Sequence, residues 1–204
     1  MTRNMKRSGI KGVLFDFDGT LTHPGALDFP AIKRLMGCPL EQPILEYIET
    51  CRDPRKSELI KILEEKEDLA AEASRPNFGA EECIITLKEK GRSLGILTRN
   101  SLNSVKKALG QFNVITISDF DAVLTRDSSL PKPDPDGIFR AAKFMRLLPQ
   151  ELLVVGDFRF DIIAGKAAGS RTALLTNGGP SVMLADDPVP DFVINNLEQL
   201  NNII

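Results

Sequence analysis

Apolar positions along the chain fall into two regimes. Between residues 12 and 21, Val13, Leu14, Phe15 and Phe17 form a short, nearly continuous apolar run that closes on Asp16, Asp18 and Gly19. Its β-branched and aromatic character is that of an interior parallel strand, and the glycine permits a tight turn behind it. From residue 23 to residue 78 no strand-like run occurs. Apolar residues recur there at helical spacing, first as Leu40, Ile44, Leu45 and Ile48, then as Leu59, Ile60, Ile62, Leu63, Leu69, Ala70 and Ala73. Asp53-Pro54 reads as the start of the second helix, Pro76 as its stop, and the charges from Glu64 to Asp68 as a solvated face.

From Gly79 onward helical and strand patterns alternate. Helices are expected over residues 81–90, 101–109 and 138–147, and strands over residues 93–98, 114–117, 152–156, 173–175 and 192–194. This alternation predicts an α/β fold, a three-layer Rossmann-like core around a parallel sheet, with a small all-helical module inserted after the first strand. The expected division is residues 1–22 and 79–204 for the core and residues 23–78 for the module. Side chains two apart on a strand share a face, so Asp16 and Asp18 should converge at the carboxyl end of the first strand, where open α/β sheets place their ligands.

The charge is nearly balanced, 26 Lys and Arg against 28 Asp and Glu for a net of −2, which argues against a nucleic-acid surface or an anionic-membrane patch. Cys38, Cys51 and Cys83 have neither metal-site spacing nor an even disulfide framework, so reduced thiols and a cytoplasmic location are expected. Residues 1–11 are basic and polar, and the apolar run behind them is broken by Asp16 and Asp18. That is no signal-peptide core or membrane span; a frayed arm is expected, with organelle targeting left open.

Strand after strand in the second regime ends in polar groups: Thr98-Arg99-Asn100, Lys132-Pro133-Asp134-Pro135 and Gly156-Asp157-Phe158-Arg159-Phe160-Asp161. With Asp16-Phe17-Asp18-Gly19-Thr20 they resemble the four ordered motifs of the haloacid dehalogenase-like superfamily, and the helical insertion resembles the cap of its phosphoglycolate phosphatase-like and β-phosphoglucomutase-like branch. The resemblance implies Asp16 as nucleophile and Asp18 as acid and base. Dehalogenases of the superfamily lack the second aspartate, so dehalogenation is disfavoured. It also implies Mg²⁺ held by the Asp16 carboxylate, the Asp18 carbonyl and the Asp157 carboxylate with Asp161 in support, and phosphate received by Thr98, Arg99, Asn100 and Lys132. Hard oxygen ligands around a divalent cation suit a pocket where two carboxylates meet a phosphate. Asp161 also reads as a helix cap. Phe158 stands where many relatives have Ser or Thr, and His23-Pro24-Gly25 replaces the Asp-Ser common after the first motif, so the substrate is not specified. The expectation is a Mg²⁺-dependent phosphatase acting on a small phosphorylated metabolite through an aspartyl-phosphate, with a phosphomutase or a catalytically silent binding protein on the same fold as alternatives.

Overall fold

The computed structural model describes residues 9–204, so most of the expected amino-terminal arm lies outside the described residues. Six parallel strands form one sheet: β1 (Gly12–Phe15), β2 (Ser93–Leu97), β3 (Ala122–Leu124), β4 (Leu152–Gly156), β5 (Arg171–Leu175) and β6 (Phe192–Ile194), in the order β3-β2-β1-β4-β5-β6. The first strand is therefore interior, pairing Gly12 with Ser93 on one side and with Leu152 on the other. The chain winds outward from β1 in one direction and then in the other, which puts a topological switch point between β1 and β4.

Helices cover both faces, as connections between parallel strands require. On one face Val13, Phe15 and Phe17 pack with Cys83, Ile84 and Leu87 of α4 (Ala80–Glu89) and Val105 and Leu109 of α5 (Leu102–Leu109). On the other, Leu14 and Val154 pack with Ile138 and Ala141 of α6 (Asp136–Met145) and Ala164 of α7 (Arg159–Ala167). The alternation Val13, Leu14, Phe15 between two cores is the strand period expressed in three dimensions.

The edge strand corrects one expectation. Residues 114–117 do not pair in the sheet; β3 begins at Ala122. The N–H groups of Val114 and Ile115 donate to the Glu81 carboxylate at 2.7 and 3.2 Å and that of Thr116 to Asp119 at 2.7 Å, so side chains have taken the donors that a ladder would need. Val114 is 62% exposed.

Between β1 and α4 lie three helices. The sequence reading missed α1 (Phe29–Met36), which starts at Asp28, whose carboxylate accepts from Ala31 N–H at 2.9 Å, and stops at Gly37. The second, α2 (Ile44–Thr50), begins only after Pro43, and α3 (Arg55–Glu72) begins one residue beyond Pro54, with Asp53 accepting from Ser57 N–H at 3.2 Å. Ile32, Met36, Ile44, Ile48, Leu59 and Leu63 form a hydrophobic cluster of their own. The two chain segments joining these helices to the sheet lie against each other: Thr22 bridges Pro76 antiparallel, His23 N–H donates to Arg75 C=O at 2.9 Å, and Asn77 N–H to Leu21 C=O at 2.8 Å.

Candidate active site

Strand β1 stops at Phe15, but the Asp16 amide still donates to Val155 C=O at 2.8 Å, so Asp16 leaves the sheet in register beside β4, which ends one residue before Asp157. The chain then turns, with Thr20, Leu21 and Thr22 all donating to Phe17 C=O. Asp18 therefore sits on this turn and not on the strand, a refinement of the shared-face expectation. Gly19 makes the turn with φ +75°, and a Cβ there would lie 2.2 Å from Asp157 Oδ2, so the glycine is required for both conformation and room.

Lys132, between β3 and α6, is 4% exposed. Its ammonium donates to Asp16 Oδ1 at 2.5 Å, Asp161 Oδ1 at 2.6 Å and Leu97 C=O at 2.8 Å, which occupies all three protons. Burial alone would lower its pKa, but the charges of Asp16 and Asp161 outweigh this and hold the lysine above its ordinary range. Asp161, 1% exposed, also accepts from Phe158 N–H at 3.2 Å at the start of α7. The residue thus caps α7 with one oxygen while the other accepts from Lys132.

Oxygens of Asp16, Asp157 and Asp161 lie within 4.8 Å of one another. Burial, with the charges of Asp16 and Asp161, pushes Asp157 up to about 8, and burial pushes Asp161 up to about 6 despite Lys132. Three carboxylates facing one ammonium are short of positive charge. A hard, oxygen-seeking divalent cation fits that donor set, so the residues present suit Mg²⁺. Asp18 is pushed up to about 7 by burial and by Asp16, against the Asn100 amide that donates to its Oδ2 at 2.6 Å.

The residues expected to receive phosphate are placed differently from one another. Thr98 is buried at the end of β2, and its hydroxyl accepts from Asn100 N–H at 3.1 Å. The next amides are also engaged, Ser101 N–H by Glu67 at 3.5 Å and Leu102 N–H by Asp127 at 2.8 Å, so the start of α5 is not the open phosphate cradle that its sequence position suggests. The Asn100 side chain holds Asp18. Arg99 turns to α2, where its two terminal nitrogens meet Glu46 Oε1 at 3.0 Å and Oε2 at 2.6 Å.

Sequence reasoning missed two asparagines that hold the first turn. Asn77 Nδ2 donates to Thr20 C=O at 3.0 Å and to Asn177 Oδ1 at 3.0 Å, and Asn177 Nδ2 donates to Gly19 C=O at 2.8 Å. Asn177 had a usable signal, since β5 ends in polar residues as β2 and β4 do. The supposed solvated face of α3 is also corrected. Glu67 is 4% exposed, pairs with Arg126 and accepts from Ser104 Oγ at 3.3 Å, while Asp68 pairs with Lys107 at 2.6 Å, because α3 lies against α5.

A parallel sheet with acids gathered beside its switch point and a buried lysine among them is the architecture of a Rossmann-like enzyme. The sequence profile of the haloacid dehalogenase-like hydrolases matches residues 13–175, and the chain belongs to that family. It is 32% identical over 200 residues to a hydrolase of Saccharomyces cerevisiae, covering 96% of this chain and 91% of that protein. To the pyrophosphatase PpaX of Bacillus velezensis it is 27% identical over 215 residues, covering 95% and 96%. The crystal structure of a hydrolase from Pseudomonas syringae superposes with a TM-score of 0.79 at 22% identity over 95% of this chain and 97% of that one, a likeness of fold.

Proposed function

We propose that the protein is a Mg²⁺-dependent phosphatase that hydrolyses a small phosphomonoester through an aspartyl-phosphate on Asp16. The observation that carries this reading is the state of the Asp16 carboxylate. One oxygen is fixed by Lys132 at 2.5 Å, and the other accepts no hydrogen bond from the described residues. An oriented carboxylate with a free oxygen is arranged to attack phosphorus and split one hydrolysis into two displacements. Similarity to a pyrophosphatase supports phosphoryl chemistry.

In the first displacement Asp16 attacks and the leaving oxygen takes a proton from Asp18, whose raised pKa keeps that proton available near neutrality. In the second, Asp18 accepts a proton from the attacking water. Asn100 orients Asp18 through the 2.6 Å bond, and Lys132 offsets charge on Asp16 and the phosphoryl. Thr98 lines the phosphate side. Asp16, Asp157 and the Asp18 carbonyl would hold Mg²⁺, with Asp161 in support, and when bound the ion neutralises phosphoryl charge in a pocket that is otherwise too acidic to admit it. Residues 23–78 serve as a cap that chooses the leaving group. No helix among the described residues is long and apolar enough to cross a membrane, and the free thiols of Cys38, Cys51 and Cys83 fit the cytoplasm.

The test is release of free phosphate from a panel of phosphorylated metabolites with and without Mg²⁺, with EDTA expected to silence the enzyme and Mg²⁺ to restore it. Asp157→Ala should lose Mg²⁺ binding in a calorimetric titration; unchanged affinity would place the metal elsewhere. Asp18→Asn should slow the first displacement, read as the rapid burst of released alcohol, roughly 10²–10⁴-fold with alkyl phosphates and much less with p-nitrophenyl phosphate, whose leaving group needs no proton. Equal losses on both esters would remove Asp18 from the acid role.

A further inference from the structure

We propose that Glu46 stands in for an anionic group of the substrate, and that Arg99 selects phosphomonoesters whose leaving group carries a second negative charge, a carboxylate or another phosphate. This rests on the phosphatase reading and names the class of substrate.

Arg99 follows Thr98 at the end of β2. Its guanidinium is anchored by two contacts independent of Glu46: Nη1 donates to the Lys132 carbonyl, and the guanidinium carbon lies 5.3 Å from the centroid of the Phe160 ring. Lys132 touches Asp16 with its ammonium and Arg99 with its carbonyl, so the guanidinium stands no farther from Asp16 than one lysine and two hydrogen bonds reach. A small ligand that reaches both needs an anionic group at each end. What is left of the fork is a two-pronged receptor, and Glu46 fills it with both oxygens. Carboxylate and phosphate share this geometry.

Glu46 comes from α2, in the proposed cap, and its side-chain hydrogen bonds among the described residues all go to Arg99. Partial burial works against its charge, but the bonds and charge of Arg99 prevail and hold it below the ordinary carboxylate range. The pair is still open to water, 38% exposed on the glutamate and 22% on the arginine. Ion pairs in such settings are weak enough for an incoming anion to displace. The pairing of Arg126 with Glu67 of α3 is of a different kind. Their side chains are exposed by only 13% and 3%, with Arg126 in the loop behind β3 and Glu67 on α3. Arg99 keeps its place when Glu46 departs, and a receptor needs that property where a structural tie does not.

The experiment uses Asp16→Asn with Mg²⁺, a background that does not turn over, and measures calorimetric binding of two probes that differ in one group, 2-phosphoglycolate and 2-hydroxyethyl phosphate. Adding Glu46→Gln should tighten 2-phosphoglycolate about tenfold, the gain expected if the receptor is free about a tenth of the time, and leave 2-hydroxyethyl phosphate unchanged. Adding Arg99→Gln should erase the difference between the probes. Equal shifts for both probes, no shift for either, or no binding of either would overturn the inference. Failure of the Asp16-containing protein to release phosphate from any ester would overturn the phosphatase reading and leave this binding result standing.

Discussion

Asp16→Asn is expected to release no measurable phosphate while melting within a few degrees of the parent protein. The substitution keeps the size of the side chain and an oxygen able to accept from Lys132, so packing around β1 has no reason to change. It removes the charge and, under the proposed mechanism, the nucleophilic carboxylate, without which no aspartyl-phosphate forms. The loss should be equally complete on alkyl phosphates and on p-nitrophenyl phosphate, because the nucleophile is needed whatever departs. Intact-protein mass spectrometry after rapid acid quench of a reaction with p-nitrophenyl phosphate supplies the positive control: Asp18→Asn should accumulate a phosphorylated species and Asp16→Asn should not. Near-parental phosphate release by Asp16→Asn would dismiss the nucleophile.

Lys132→Met should have the largest effect on stability. Methionine fills a similar volume but leaves Asp16, Asp161 and the Leu97 carbonyl facing a buried position with no donor. Breaking a buried ion pair from one side costs roughly 3–5 kcal/mol, a large share of the stability of a domain this size. In EDTA the deficit should depend on pH with a definite sign. The Asp161 carboxyl, at about 6 even beside the lysine, rises further without it, so the folded variant binds a proton that the unfolded chain has lost. Its stability should fall as pH rises from the unfolded carboxylate value through that raised pKa, making the variant's deficit smaller at pH 5 than at pH 8. Urea unfolding followed by circular dichroism at the two pH values measures it, and a loss below 1 kcal/mol at pH 8 would show that the lysine is not holding these acids.

Much of this molecule can be read from its sequence because the informative features are local. A buried parallel strand announces itself as an apolar run, and the acids and threonine ending β1, β2 and β4 stand out against such runs. The readings that failed involve groups whose meaning depends on what lies across from them. Val114 and Ile115 have strand-like side chains, but Glu81, far away in sequence, occupies their amides. Glu67 sits in a charged stretch that looks solvated until α3 meets α5. A feature outside the reach of any motif is the glutamate on α2 that holds the Arg99 guanidinium. The cap at Asp161 was legible because it lies three residues from its partner, and motif order set the same residue beside Asp16 and Asp157, where it lies.

The central place of β1 also bears on how the enzyme is made. A chain emerging from the ribosome presents Asp16 well before the partners of its strand: residue 12 pairs with residue 93 and with residue 152. Contacts so distant in sequence form slowly, since the intervening loop must be closed before they return any energy. Throughout synthesis of the helices and of β2 and β3, the strand that ends in Asp16 has one side without a neighbour. Only when β4 slots in beside it do Asp157 and Asp161 come near Asp16. A nascent or clipped chain lacking residues 152–161 would carry Asp16 without its acidic companions, so under the proposed mechanism metal-dependent turnover reports that β4 has joined β1.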